Sequence, residues 1–82
     1  MLVNMADEQI VLLNKITAII DEKAAKYKDE LADMPRVRAV NEKKLIVDLI
    51  DEALALAESM KPAPFDLIAD FKRLKQQLNN LH

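Results

Sequence analysis

Three adjacent acid pairs, Asp21-Glu22, Asp29-Glu30 and Asp51-Glu52, are the residues in this chain best suited by type to acid–base chemistry. Such chemistry needs two carboxyl groups converging on one substrate atom, within hydrogen-bond reach of the proton they move. On a helix, neighbours point about 100° apart, so a pair of this kind diverges unless a second element completes it. The hydroxyls are equally isolated. Thr17 lies in an apolar stripe, where its natural acceptor is the carbonyl of Leu13, and Ser59 has no base at helical spacing. The one histidine is the final residue, His82, so no Glu-x-x-His pair exists to build a bundle metal site. With no cysteine and no glycine, thiol chemistry, zinc knuckles and phosphate-cradling loops are excluded. The carboxylates read as solvated helix faces, and no catalytic residue, metal or cofactor is expected.

The elements that carry these residues read as helices. Ile10, Leu13, Thr17, Ile20, Ala24, Tyr27 and Leu31 recur at alternating steps of three and four. A second stripe, Leu12, Ile16 and Ile19, widens the apolar face only as far as residue 20. Pro35 ends this segment by biasing Met34 towards extended dihedrals, and it suits the first turn of a following helix. In that second helix Ile46, Leu49, Ala53, Leu56 and Met60 form one seam, and Val40, Val47, Ile50, Leu54 and Ala57 another. After Pro62-Ala63-Pro64, a rigid connection, Leu67, Phe71, Leu74, Leu78 and Leu81 line a third helix, with Phe65 and Ile68 beside them. Pro64 fits its first position, and Asp66 favours its N-terminal end. No segment alternates with period two between turn signals.

The expected fold is all-α: an antiparallel hairpin of helices over about 7–33 and 36–60, plus a third helix over about 64–81. Closing the hairpin at Pro35 sets residue i opposite about residue 69 − i, so wide apolar faces meet at the base and narrow seams meet at the tip. The third helix, about 27 Å long at 1.5 Å per residue, then covers the base and leaves a two-helix tip near residues 26–43. A break near Asp21-Glu22 would convert this three-helix bundle into a four-helix one. Eighty-two residues form a single domain. Met5-Ala6-Asp7-Glu8 resembles a second start, which marks residues 1–5 as a flexible leader.

Fourteen acids against twelve bases give a net charge of −2. That balance argues against broad nucleic-acid coating. The longest apolar run is five residues, 53–57, so no membrane span is expected. Without a basic leader and long apolar core at its start, the chain is expected in the cytoplasm. The tip departs from the overall charge. Lys23, Lys26, Lys28, Arg36, Arg38, Lys43 and Lys44 outnumber Asp29, Glu30, Asp33 and Glu42 by seven to four. These bases either meet a partner or simply solvate a narrow-seamed helix pair, with i to i+4 pairing such as Glu22–Lys26. Lys26, Tyr27, Lys28, Arg36 and Arg38 are the candidate contact residues. Tyr27 is either an interaction hot spot or a core ring. At the base, Val11, Leu12, Ile16 and Ile19 together give the first helix more apolar face than one neighbour hides, with Leu12, Ile16 and Ile19 the possible dimer face. The third helix is expected to cover that surplus, and a homodimer is the alternative.

The segment Leu45-Ile46-Val47-Asp48-Leu49, with Ala53-Leu54, Pro62-Ala63-Pro64-Phe65-Asp66-Leu67, Phe71 and Leu74, resembles the second half of the immunity proteins that accompany pediocin-like bacteriocins. Leu12-Leu13-Asn14 is similar to their opening helix. The chain is shorter than that family and lacks the basic character of many members. The resemblance implies an antiparallel helical bundle in the cytoplasm of a Gram-positive bacterium, recognising a bacteriocin-bound sugar-uptake permease without catalysis. Independently of it, the sequence favours a non-enzymatic module that binds another protein. A small nucleic-acid-associated regulator using the basic tip, and a structural homodimeric assembly factor, are the alternatives.

Overall fold

The computed structural model describes residues 5–81, so most of the expected leader lies outside the described residues. Helix α1 spans Met5–Glu30 and runs on into a single 3₁₀ turn, Leu31–Asp33. Helix α2 spans Arg36–Ser59 and α3 spans Phe65–Asn80. There is no break at Asp21-Glu22, so the bundle has three helices among the described residues. Met5 is already helical, which moves the start of α1 two residues ahead of the expected Asp7. Asp7 and Glu8 in its first turn and Lys28 in its last suit the helix dipole at each end.

Pro35 and Pro64 each act one position earlier than the first helical residue. Pro35 (φ −57°, ψ 145°) and Pro64 (φ −79°, ψ 83°) are N-caps. Their carbonyls accept the first intrahelical bonds, from the Ala39 N–H at 2.9 Å and the Ile68 N–H at 3.0 Å. The ring fixes a φ compatible with helix entry, while ψ stays outside the helical range, so the residue initiates the helix without joining it. Met34 is extended at ψ 135°, as the proline after it requires. The Lys61–Pro62 peptide is cis.

Helix α2 is the centre of the bundle, packed against α1 on one flank and α3 on the other. The assembly is elongated, 50 × 23 × 16 Å. Leu13, Ile20, Ala24 and Tyr27 supply the core from α1, and Ile68, Phe71 and Leu78 from α3. From α2 the buried line is Ile46, Ile50, Ala53 and Ala57. This line takes two members from each seam read in the sequence. A helix flanked on two sides buries the strip between its two seams most deeply and leaves Leu49, Leu54 and Leu56 at the margins. The small side chains at 53 and 57 let neighbouring helices approach closely. Thr17 donates its hydroxyl hydrogen bond to the Leu13 carbonyl at 2.7 Å, which satisfies its polar atom within the apolar α1 stripe.

The third helix does not lie where the sequence reading put it. Its start shares a surface recess with Gln9, Ile10, Leu13 and Asn14, and its end meets Lys28 and Leu31. Projected at 100° per residue, Ile10, Asn14 and Lys28 form one flank of the α1 core line, while Leu12, Ile16 and Ile19 form the opposite one. An ion pair fixes the same side on α2, with Lys75 Nζ 2.7 Å from Asp51 Oδ1. Leu12 and Ile19 therefore remain 49% and 43% exposed, and the expected cover over them is absent among the described residues. The reach of α3 also differs. Leu81, its C-cap, stands beside Tyr27 and Leu31, so the stretch left to two helices begins further out than residue 26.

Candidate functional site at the hairpin tip

Beyond Leu81 the groove that holds α3 continues with no helix of the described residues in it. Leu31 and Tyr27 form its wall on the α1 side, Met34 closes its end, and Ala39 and Val40 form its wall on α2. Arg36 and Lys43 stand at its rim. The resulting concavity measures about 590 Å3 and its lining is mainly apolar. Its shape follows from chain lengths. α1 with its 3₁₀ turn and α2 both run to the tip, but α3 has only 16 residues, or about 24 Å. The groove between the longer pair is thus one to two turns longer than the helix that fills it. Val40 is 55% exposed there, and Val37 lies further out and more open still.

Tyr27 is 3% exposed. Its ring is part of the core and forms the wall between the apolar concavity and a smaller polar one of about 160 Å3. That burial corrects its place among the surface contact residues and leaves the core-ring reading standing. The physical reason is space. Where two narrow seams meet, one large aromatic side chain fills volume that smaller aliphatic residues would leave open. The small polar recess is lined by Lys23, Lys26, Glu30, Arg38 and Glu42, with Tyr27 and Met34. Glu30 Oε2 is buried there without a hydrogen-bond partner, the one side-chain oxygen or nitrogen in that condition among the described residues.

The five candidate contact residues do not form one patch. Lys26 and Arg38 line the polar recess, Arg36 stands on the rim of the apolar concavity, and Lys28 faces the end of α3 beside Gln77 and Asn80. The tip is instead ringed by bases around an apolar centre. Among the described residues the ion pairs are Arg73–Asp70 and Lys75–Asp51, so none of the seven tip bases is neutralised by a neighbour. The expected Glu22–Lys26 pairing is not made. Of the residues that shape the concavity, Leu31, Val40 and Leu81 read in the sequence only as seam members and Met34 only as the residue before a proline, while Ala39 belonged to no seam. Val37 and Val40, apolar residues on a stretch that no third helix of the described residues reaches, are the signal that could have found them.

The acid pairs stay apart. Asp51 is engaged by Lys75, and no three acidic or histidine side chains converge among the described residues. Ser59 donates to the Leu56 carbonyl at 2.7 Å. No helix of the described residues is long and apolar enough to cross a membrane. Comparison with known protein families, with curated proteins and with solved structures finds no match.

Proposed function

We propose that this chain is a non-enzymatic recognition module of the cytoplasm, which takes an acid-bearing helical segment of another protein into the concavity at the hairpin tip. The observation that carries this reading is the unfilled continuation of the α3 groove, apolar within and rimmed by Arg36 and Lys43. A short amphipathic helix laid end-on to α3 buries its apolar ridge against Leu31, Ala39 and Val40, the mode of helix-in-groove recognition. Acidic residues flanking that ridge meet the unpaired bases, which sets orientation and association rate.

The test is a photo-crosslinking residue at Val40, with the same residue at Asp70 as a control. A partner crosslinked from position 40 alone is purified and titrated against the chain. Its affinity falls at least tenfold with Val40→Asp and with Arg36→Glu, equivalent to about 1.4 kcal/mol. Equal crosslinking from both positions, or an affinity indifferent to both substitutions, contradicts the reading. The bacteriocin-immunity resemblance gives a sharper form of the same test. A sensitive strain expressing the chain survives the bacteriocin, and one expressing Val40→Asp does not. Binding of an oligonucleotide with a log–log salt slope of about −0.9 per phosphate would instead favour the nucleic-acid alternative.

A further inference from the structure

We infer that the flank of the α1–α2 hairpin opposite α3 closes on the same flank of a second copy of this chain, about a two-fold axis parallel to the helices. Leu12, Ile16 and Ile19 of α1 share this flank with Leu45, Leu49 and Leu56 of α2. Leu45 is 51% exposed, and Leu12 and Ile19 are nearly as open. Ile16, Leu49 and Leu56 are half-buried at the margin of the core, so the exposed residues continue an apolar surface already anchored beneath them.

The surface is self-complementary in register. An axis parallel to the helices sets α1 of one copy antiparallel on α2 of the other, each residue facing the level it already occupies in its own hairpin. Leu12 then meets Leu56, and Ile19 meets Leu49. Lys15 stands on the outer edge of α1 and Glu52 on the outer edge of α2. Lys15 falls opposite Glu52, within two residues, or about 3 Å, of the same level. Both are exposed, and neither is paired within its own chain among the described residues. The two-fold axis makes this pairing twice. The other two-fold arrangement, with the axis across the helices, stacks α1 on α1 and α2 on α2 and makes neither.

The area suffices. From Glu8 to Lys26 the flank runs about 27 Å, and two helices side by side span about 20 Å, giving ~1,100 Å2 buried over both copies, just above the ~1,000 Å2 of a specific interface. A dimer of that size forms in the micromolar range. It also has a consequence for the tips, which an axis parallel to the helices brings to the same end. Two concavities then face one partner assembly together, and binding gains from effective concentration.

The chain has no cysteine, so a single Ala32→Cys change at the tip carries one spin label per copy. The expected result is a mass rising from 9.3 kDa towards twice that value with concentration, together with a tip-to-tip distance of about 20–30 Å. Lys15→Glu weakens the dimer at least tenfold, and adding Glu52→Lys restores it. Both positions are exposed, and circular dichroism checks that each variant stays helical. A mass fixed at 9.3 kDa up to about 500 μM, near the weak end of specific association, overturns the inference. So does a tip-to-tip distance near ~50 Å, which the crossed axis requires. A dimer that is indifferent to the charge reversals overturns it as well.

Discussion

The two flanks of the α1–α2 hairpin are built from similar materials and meet different fates. One carries Ile10 and Leu31 on α1 and its 3₁₀ turn, with Val47 and Leu54 on α2, and α3 lies along it, held at mid-length by Lys75–Asp51. The other carries Leu12, Ile16 and Ile19 with Leu45, Leu49 and Leu56, and no helix of the described residues lies there. Apolar content alone therefore does not distinguish an internal interface from an external one. What separates them is connectivity. The short link from Ser59 to Phe65 delivers α3 to one side of α2, and the side it leaves keeps its apolar residues in the open. At the far end α3 stops at Asn80, short of the tip, and the described residues leave the concavity there unfilled.

Substitutions graded by depth break this comparison in decreasing order of effect. Phe71→Ala costs about 3–5 kcal/mol in chemical denaturation, because it removes the largest side chain that α3 places in the core. Ile50→Ala, at a fully buried position on the central helix, costs about 2–5 kcal/mol. A cost below about 1 kcal/mol at either site would mean that the flank under α3 is not a packed interface.

On the bare flank the effect moves from folding to association. Ile19→Asp shifts the monomer's unfolding midpoint little, since the residue is exposed, while sedimentation shows at least a tenfold loss of self-association. At the tip, Val40→Asp leaves stability within about 0.5 kcal/mol and acts on partner binding alone. The smallest change is Lys75→Ala. Its partly exposed ion pair with Asp51 contributes about 0.2–1 kcal/mol, and less at high salt, read as a small fall in the denaturation midpoint.

Much of this was legible in the residues themselves. Helix limits came within about two positions because proline punctuation and the three-four rhythm are local properties, and the Thr17 bond to the Leu13 carbonyl follows from its place in the stripe. The side taken by α3 was not legible. Stripes at 12, 16, 19 and at 10, 17, 31 both offer a neighbour, and the choice depends on how the residues linking Ser59 to Phe65 turn in three dimensions. Leu49 illustrates the same limit. Its seam spacing matches that of Ile46 and Ala53, yet it lies at the margin because the buried strip on α2 runs between the seams. Tyr27 could belong to either the core or the surface by type, and only the packing of α1 against α2 assigns it to the core.

The most direct test of the two-flank account is methyl NMR of the intact chain across a dilution series. The account predicts that the Leu12, Ile16, Ile19, Leu45 and Leu49 methyl signals move together along one binding curve, while Val47 and Leu54 hold still beneath α3. Signals on the bare flank that stay fixed across the series, or movement confined to the residues beneath α3, would contradict it.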